Sequence, residues 1–190
     1  MVNKHTSFYS TEELKTLGFK SIGNNCLISK KASFYNIGLI SIGNNVRIDD
    51  FCILSGNITL CSNIHIAAYS ALYGEGSITL KNYSGVSPRC TIFSATDDFS
   101  GEYMVGAVLP DSVRHVIKAP VTLEKYTQVG AGSIILPGVT FEEGAVCGAM
   151  SFINKSIDEW SIYAGTPAVK IKDRSKQLIE IKRKILDELL

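Results

Sequence analysis

The sequence has few charged residues and no excess of either sign. Asp, Glu, Lys and Arg make up 19% of its 190 residues, and 19 basic against 18 acidic side chains leave a net charge of +1. A typical globular chain has about 25% charged residues. A chain balanced in this way has no overall field to hold a nucleic-acid backbone or an anionic membrane surface. We therefore expect no nucleic-acid partner.

Long apolar runs and paired cysteines are also missing. No segment approaches the roughly 20 apolar residues of a membrane span, and the N-terminus, MVNKHTSFYSTEEL, lacks the apolar core of a secretory signal. These absences predict a cytoplasmic protein. The cysteines are odd in number and form no CxxC pair, so we expect buried free thiols, no disulfide framework and no metal site. They are Cys26, Cys52, Cys61, Cys90 and Cys147.

What the chain does contain is a six-residue repeat. An aliphatic residue opens consecutive hexads at Ile42, Ile48, Leu54, Leu60, Ile66 and Leu72. After a two-residue slip the frame resumes at Leu80, Val86 and Ile92, and later at Leu123, Val129, Ile135, Phe141, Cys147 and Ile153. Neither a helix nor an alternating strand repeats every six residues, but a coil of three short strands repeats every eighteen. The repeat predicts an all-β solenoid shaped as a triangular prism, with the leading residues inside.

Three segments fall outside this frame. Residues 1–20 form a predicted cap segment, in which Ser10 precedes a short helix over about 11–17. The solenoid itself covers 21–172, and a helix capped by Asp173 or Ser175 covers 173–190. From about 94 to 120 the frame disappears, which predicts a projecting loop that reaches a neighbouring subunit.

The hexads, this loop and two further segments resemble the hexapeptide-repeat acyltransferases. The segments are VGAGSIILPGVTFEEGAVCGAMSFINKSI and WSIYAGTPAVKIK, which runs from Trp160 to Lys172. Within the family the resemblance is to sugar O-acetyltransferases such as the galactoside, maltose and O-antigen enzymes. It implies a left-handed parallel β-helix, acetyl-CoA as cosubstrate, and homotrimers with each active site between two subunits.

Two other classes of β-helix protein are excluded by the residues present. A γ-type carbonic anhydrase holds zinc with three histidines, and only His65 and His115 lie within the solenoid. An ice-binding solenoid needs a flat face with a regular column of threonines. The outer positions of the hexads vary, so we expect no such column.

At the catalytic position the sequence departs from the family pattern. The galactoside and maltose enzymes have a catalytic His followed by Pro in the projecting loop, where this chain has Asp97 followed by Asp98. Alignment of the hexads places His65 one coil from Asp97 on the same side of the prism. We therefore predict His65 as the general base, with Asp97 or Asp98 orienting its ring or holding the sugar. His115 is interpreted as a surface residue.

The coenzyme site is also predicted from the resemblance. Pantetheine lies along a corner where small residues allow close approach, and an amide near Ala131 could stabilise the oxyanion. Lys170 or Arg174 could replace a basic residue that the family has at the Val169 position. The predicted coenzyme-binding residues are Ala131, Gly132, Ser133, Ala149, Asn154, Lys155, Thr166, Pro167 and Lys172.

Together these features predict transfer of acetyl from acetyl-CoA to a sugar hydroxyl, in surface-polysaccharide assembly (O-antigen or lipopolysaccharide) or in sugar metabolism. The alternative is N-acetylation of a nucleotide-linked amino sugar, since an amine needs less help from a base. A more remote alternative is a non-catalytic trimeric scaffold. No exposed Ser or Cys has an evident partnered base, so a covalent acetyl-enzyme is not expected.

Overall fold

The computed structural model describes residues 7–188, with side chains up to residue 184, and consists mainly of short strands. Predictions for residues 1–6 and 189–190 lie outside the described residues. The helices are α1 (Thr11–Thr16) and α2 (Gln177–Glu188), with 3-10 turns at Ile37–Leu39 and Asp111–Val113. The strands before the loop are β1 (Ser21–Ile22), β2 (Leu27–Ile28), β3 (Ser33–Tyr35), β4 (Ile40–Ile42), β5 (Val46–Ile48), β6 (Ile53–Leu60), β7 (Ile64–Ile66), β8 (Ala71–Leu80), β9 (Gly85–Val86) and β10 (Thr91–Phe93). The remaining strands are β11 (Ala95–Asp97), β12 (Val116–Lys118), β13 (Val121–Leu123), β14 (Gln128–Val129), β15 (Ile134–Ile135), β16 (Thr140–Phe141), β17 (Val146–Cys147), β18 (Phe152–Ile153), β19 (Ser161–Gly165) and β20 (Ala168–Asp173).

The strands stack in parallel as about seven coils of a left-handed β-helix, which confirms the predicted fold class. Face 1 contains β1, β4, the second halves of β6 and β8, β13 and β16. Face 2 contains β2, β5, β7, β9, β14, β17 and β19. Face 3 contains β3, the first halves of β6 and β8, β10, β15 and β18. Strands β6 and β8 are long because each runs around the corner from face 3 to face 1.

Inward aliphatic side chains form the core. The hexad-opening residues stack in register, so that Ile42, Leu60 and Leu80 lie above one another on face 1 and are almost fully buried. Each coil thereby covers the apolar surface of its neighbours, which is how a solenoid without a globular centre excludes water. All five cysteines are free; three are buried, while Cys26 and Cys61 are only partly buried.

Two corners of the prism are built in the same way and differ in what covers them. We call the corner between faces 2 and 3 the open corner; its residues are 30–31, 50–51, 68–69, 88–89, 131–132 and 149–150. The corner between faces 1 and 2 is the helix corner; its residues are 44–45, 62–63, 82–83, 125–126, 143–144 and 159–160. In both, the second residue of most pairs has positive φ, and its N–H donates to the carbonyl of the preceding coil.

One expectation about the faces is wrong. Face 1 carries an outward column of hydroxyl side chains, paired in register through successive coils: Ser21, Ser41, Thr59, Thr79, Thr122 and Thr140. The column is hidden in the sequence because the slip near residue 76 and the loop after residue 93 interrupt the spacing of its members. Threonine suits an exposed strand because its β-branched side chain favours extended backbone.

The two α-helices flank the β-helix in the sequence and pack against it. Helix α1 begins with a capping box in which Ser10 and Glu13 satisfy each other's backbone N–H groups. Helix α2 docks on the helix corner, where Lys182 Nζ donates to the Tyr126 hydroxyl at 2.9 Å. Within the described residues no helix is long and apolar enough to cross a membrane. The loop begins as the antiparallel pair of β11 and β12, and its side chains Phe99 and Val108 are highly exposed.

Candidate functional site

The outward residues of face 2 place a histidine against a carboxylate. His65 lies on β7, and its Nε2 is 2.7 Å from Asp49 Oδ2. The other Asp49 oxygen accepts a 2.6 Å hydrogen bond from Arg47 Nε. Partial burial raises the pKa of Asp49, but the hydrogen bonds from Arg47 and His65 outweigh this and hold it below its ordinary value. Asp49 is therefore a carboxylate at neutral pH, and His65, half-exposed, faces solvent beside it.

The next two coils complete the wall of a hollow beside His65. Gly85 follows His65 in register, and Gln128 follows Gly85. A Cβ at Gly85 would collide with Gln128 Oε1, so only glycine lets the Gln128 side chain lie across this face. There Gln128 Nε2 donates to Ser87 Oγ at 3.0 Å. The hollow is thus lined by polar groups with defined hydrogen bonds: Asp49, His65, Ser87 and Gln128.

A second hollow continues from the first along the open corner. The two share Ala68 and Pro88, and the second extends past Ala131 and Gly132 to Ala149. The backbone N–H groups of Ala131 and Ala149 have no acceptor among the described residues, whereas the amides that flank them are bonded. Small side chains with free amides, one coil apart, suit an extended ligand that carries carbonyl oxygens.

The single chain does not bring Asp97 or Asp98 to His65. His65 lies on face 2, while Asp97 ends β11 beyond the far edge of face 3. Asp98 caps the loop through a 2.7 Å hydrogen bond from the Ser100 N–H, which lowers its pKa, and its own N–H donates to the His115 carbonyl. The expected placement on one side of the prism is wrong because face 3 separates the two groups. His115 is exposed, as expected, and packs against Tyr103.

The predicted coenzyme residues fall into three groups. Ala131, Gly132 and Ala149 line the open corner, and Thr166 lies beside them, since its hydroxyl donates to the Met150 carbonyl at 3.3 Å and Pro167 follows it in the turn. Ser133 is fully buried and bonds Gly148, so its side chain offers no ligand contact.

The basic residues of the predicted set lie elsewhere. Asn154 and Lys155 follow β18 at the far edge of face 3, and Lys172 is exposed on β20. Lys170 pairs with Asp173, and Arg174 donates to the Tyr126 and Gly144 carbonyls. Arg174 is therefore a structural residue, which corrects its suggested role as a substitute coenzyme contact.

Among the described residues no group of three His, Cys, Asp or Glu side chains could hold a metal ion. The arrangement instead offers a histidine paired to a carboxylate, a polar hollow and a corner with free amides. These are the parts that acyl transfer from a thioester to a nucleophile requires.

Comparison with known proteins identifies the family, although no protein-family model matches the chain. The dTDP-4-amino-4,6-dideoxy-D-glucose acyltransferase of Escherichia coli is 44% identical over 172 residues, which are 89% of this chain and 90% of that one. The chain belongs to the hexapeptide-repeat acyltransferases. AntD, an N-acyltransferase from Bacillus cereus solved with dTDP and 3-hydroxybutyryl-CoA, is 50% identical and superposes with a TM-score of 0.94 over 97% of this chain and 98% of AntD.

Other structures add detail within this family. AntD has also been solved with dTDP-4-amino-4,6-dideoxyglucose and coenzyme A, and its structures include variants of one serine and one aspartate, ten positions apart. A hexapeptide-repeat acetyltransferase from Vibrio cholerae, 17% identical with a TM-score of 0.58, covers 84% of this chain and 76% of its own and shares the fold alone.

These similarities overturn the predicted sugar O-acetyltransferase. The relatives of 44% and 50% identity are an acyltransferase named for an amino sugar nucleotide and an N-acyltransferase, and neither is named for acylation of a hydroxyl. The chain is an acyltransferase, and these similarities fit the alternative prediction, N-acylation of a nucleotide-linked amino sugar. The O-acetyl prediction failed because the segments that carried the resemblance are repeat and corner residues, whose pattern does not distinguish a hydroxyl acceptor from an amine.

The residues of the two hollows that were not predicted include four with polar or charged side chains: Asp49, Ser87, Arg89 and Gln128. A signal for three of them was present. Once the loop is removed from the hexad frame, Arg47, His65, Gly85 and Gln128 occupy one outward column, and Asp49 and Ser87 follow it by two residues. The prediction followed the inward positions and did not compare the outward ones.

Proposed function

We propose that the protein transfers an acyl group from a coenzyme A thioester to the amino group of a dTDP-linked 4-amino-4,6-dideoxyhexose. The observation that carries this proposal is near-full-length similarity, at 44% and 50% identity, to an acyltransferase and an N-acyltransferase linked by name to that substrate class. The chain also retains a polar hollow next to a corner with small residues and free amides. Both are surfaces that such a reaction needs.

The chemistry assigns a role to each group around the hollow. The amine nitrogen forms the new C–N bond while the thioester C–S bond breaks, so the products are an amide and coenzyme A. His65 takes the proton that the amine loses, and Asp49 accepts from Nε2–H, which leaves Nδ1 as the basic nitrogen. The free N–H of Ala131 donates to the carbonyl oxygen as it gains negative charge.

Ser87 and Asp97 are added to the proposed active-site residues because of their spacing in the sequence. In this sequence they are the only serine and aspartate in that order ten positions apart, the spacing of the two residues varied in AntD. Ser87 lines the hollow, whereas Asp97 lies beyond the opposite edge of face 3. We therefore assign Asp97, with Asp98, to a site completed by a neighbouring subunit.

A trimer would bring those two edges together. The outward column of face 3 is mostly apolar and runs in register through Ser33, Ile53, Ala71, Thr91, Ile134 and Phe152, and beside it the Tyr73 and Phe93 rings stack at 5.3 Å. An apolar face of this kind is typical of subunit contacts. Asn154 and Lys155 reach the coenzyme from the same edge as Asp97.

In this arrangement residues 1–20 cap the β-helix, 21–172 carry the site with the loop at 94–120, and 173–190 form the C-terminal helix.

The remaining assignments concern the donor and the setting. We propose a short acyl-CoA, either acetyl-CoA or the 3-hydroxybutyryl-CoA found with AntD. The reaction would take place in the cytoplasm, where nucleotide sugars and coenzyme A thioesters are made, and would supply a glycosyltransferase of surface-polysaccharide assembly such as O-antigen or lipopolysaccharide synthesis.

The proposal is tested by mass spectrometry of the products. The enzyme is incubated with dTDP-4-amino-4,6-dideoxyglucose and each acyl-CoA, and in parallel with dTDP-glucose, which lacks the amine. We expect an amide only from the amino sugar. No product, or equal acylation of both nucleotides, would contradict the proposal.

The same assay tests His65. His65→Ala should lower kcat by about 100-fold or more, within the usual range for general-base catalysis. Lys125→Gln, at an exposed lysine of the helix corner with no side-chain partner among the described residues, is the control. A loss of less than tenfold in His65→Ala would remove its role as base.

A further inference from the structure

We infer that the open corner from Arg89 towards the N-terminus binds the pyrimidine nucleoside diphosphate part of the acceptor, with the Arg89 guanidinium on the diphosphate and the Phe51 and Tyr69 rings against the base. This assignment rests on the proposed function, since it requires a nucleotide-linked acceptor. Neither the polar hollow nor the small residues of the corner account for these three side chains.

The two rings form an exposed aromatic surface. Phe51 and Tyr69 occupy successive positions of the open corner, and their centroids are 5.0 Å apart with the planes 24° from parallel. They remain 48% and 56% exposed. Both residues have positive φ, which directs their side chains out from the corner. The outer edges of the two rings form an exposed surface that spans two coils. A planar base can pack its face against these ring edges in the T-shaped geometry that aromatic groups favour.

Arg89 supplies an uncommitted positive charge next to this wall. Its guanidinium lies 5.9 Å above the Tyr69 ring, and it has no hydrogen-bond or ion-pair partner among the described residues. Lys31, at the other end of the stack, is neutralised by Asp50 at 2.8 Å. An arginine that is held only by a ring face can turn to donate two parallel hydrogen bonds to a phosphate group.

The order of groups along the corner matches the order of groups in the reaction. Successive coils are about 4.8 Å apart. From the free amide of Ala131, where the thioester carbonyl is placed, the next coil towards the N-terminus carries Pro88 and the stem of Arg89. The Arg89 head then reaches the coil of Tyr69, and Phe51 lies one coil further. A diphosphate and a base laid along this line meet a cation and two rings in turn, and the hexose lies beside the polar hollow, whose lining spans the same coils.

The experiment measures binding of thymidine diphosphate by calorimetry to the full chain. Arg89→Gln should weaken binding by roughly 10- to 100-fold, as for loss of charged hydrogen bonds, and Arg89→Lys should restore part of it. Tyr69→Asn should weaken binding about tenfold, since asparagine accepts the positive φ but provides no ring. Lys125→Gln and Tyr83→Asn are the matched controls, because Tyr83 is also a stacked ring at a positive-φ corner position. Both should bind thymidine diphosphate like the wild type.

Failure of this inference and failure of the proposed function give different results. If the wild type binds thymidine diphosphate and the Arg89 and Tyr69 variants do not, but no amide forms, the corner assignment stands and the acyltransferase assignment falls. If the amide forms while Arg89→Gln and Tyr69→Asn retain wild-type affinity and KM for the nucleotide sugar, the corner assignment is wrong. It is also wrong if Tyr69→Asn changes the oligomeric state in sedimentation and leaves the affinity per site unchanged.

Discussion

The helix corner and the open corner have the same backbone conformation and each carries a stacked pair of aromatic rings, but a helix covers only one of them. On the helix corner, the rings of Tyr83 and Tyr126 stack at 5.5 Å, and Lys182 of α2 lies 4.4 Å from the Tyr83 centroid. On the open corner, Phe51 and Tyr69 stack at 5.0 Å with Arg89 over the Tyr69 ring, and no helix within the described residues covers them. A stack that the chain covers serves stability, whereas an equal stack that it leaves exposed is available to a ligand.

The backbone amides of the two corners differ in the coils nearer the N-terminus. On the helix corner, the Asn44 N–H donates to Ser62 Oγ and the Ser62 N–H donates to Asn82 Oδ1. On the open corner the corresponding positions include Ala68, Ala131 and Ala149, whose side chains cannot accept a hydrogen bond. Polar side chains therefore satisfy the helix corner only in these coils, since further along it the Lys125 and Glu143 N–H groups, like those of Ala131 and Ala149, have no acceptor among the described residues.

The largest expected effect is on stability at the helix corner. Trp160 is almost fully buried over Gly144, so Trp160→Ala should lower the free energy of unfolding by about 3–5 kcal/mol. Tyr69→Asn on the open corner should lower it by less than about 1 kcal/mol, because an exposed ring buries little apolar area. Urea unfolding followed by circular dichroism measures both. Equal losses in the free energy of unfolding would show that Tyr69 on the open corner also stabilises the fold.

An arginine on each corner extends the comparison of the two corners: Arg174 on the helix corner and Arg89 on the open corner. Arg174 donates to the carbonyls of Tyr126 and Gly144 at 2.6 and 2.8 Å, so Arg174→Gln should cost about 1.5–3 kcal/mol of stability. Arg89→Gln should leave stability within about 0.5 kcal/mol of the wild type, since the guanidinium has only a ring contact. The same unfolding assay applies, and a destabilised Arg89→Gln variant would mean that this residue holds the fold.

The small residues of the open corner should matter for binding alone. Ala131→Leu should raise the KM for acyl-CoA about tenfold, equivalent to about 1.4 kcal/mol, because the longer side chain blocks close approach to the free amide. Lys125→Leu places leucine at the equivalent position of the helix corner in the same coil and should leave KM unchanged. Steady-state kinetics with varied acyl-CoA distinguishes the two, and a normal KM in Ala131→Leu would move the coenzyme away from this corner.

The smallest effects concern pH. The hydrogen bond to Tyr126 raises the pKa of Lys182, so its contribution to helix docking persists at neutral pH and is lost as the pH rises above the ordinary lysine value. On the open corner the hydrogen bond from Lys31 lowers the pKa of Asp50, so that contact is lost as the pH falls below the ordinary aspartate value. Fluorescence of Trp160, the single tryptophan, reports the helix corner. An alkaline change that Lys182→Met retains would contradict this assignment.

Much of the fold could be predicted because the inward positions repeat. The leading residues of the hexads, from Ile42 to Ile153, are buried as expected, since a solenoid core depends on local spacing within each coil. Helix α1 lies close to its predicted bounds because Ser10 and Glu13 form a local motif. The Ser and Thr column of face 1 was missed, since its members become neighbours only when the loop is folded out of the way.

The coiled architecture, the acyltransferase family and the small residues of the open corner could all be read from the sequence, because the hexad spacing and the family motifs are local patterns. Only the tertiary structure decided which groups meet: that His65 pairs with Asp49, that Gln128 bonds Ser87 across Gly85, and that α2 covers one aromatic corner and leaves the other exposed. These pairs join residues 16 to 56 positions apart. Their meeting depends on how coils stack and where the chain end docks, which no local pattern of residue types encodes.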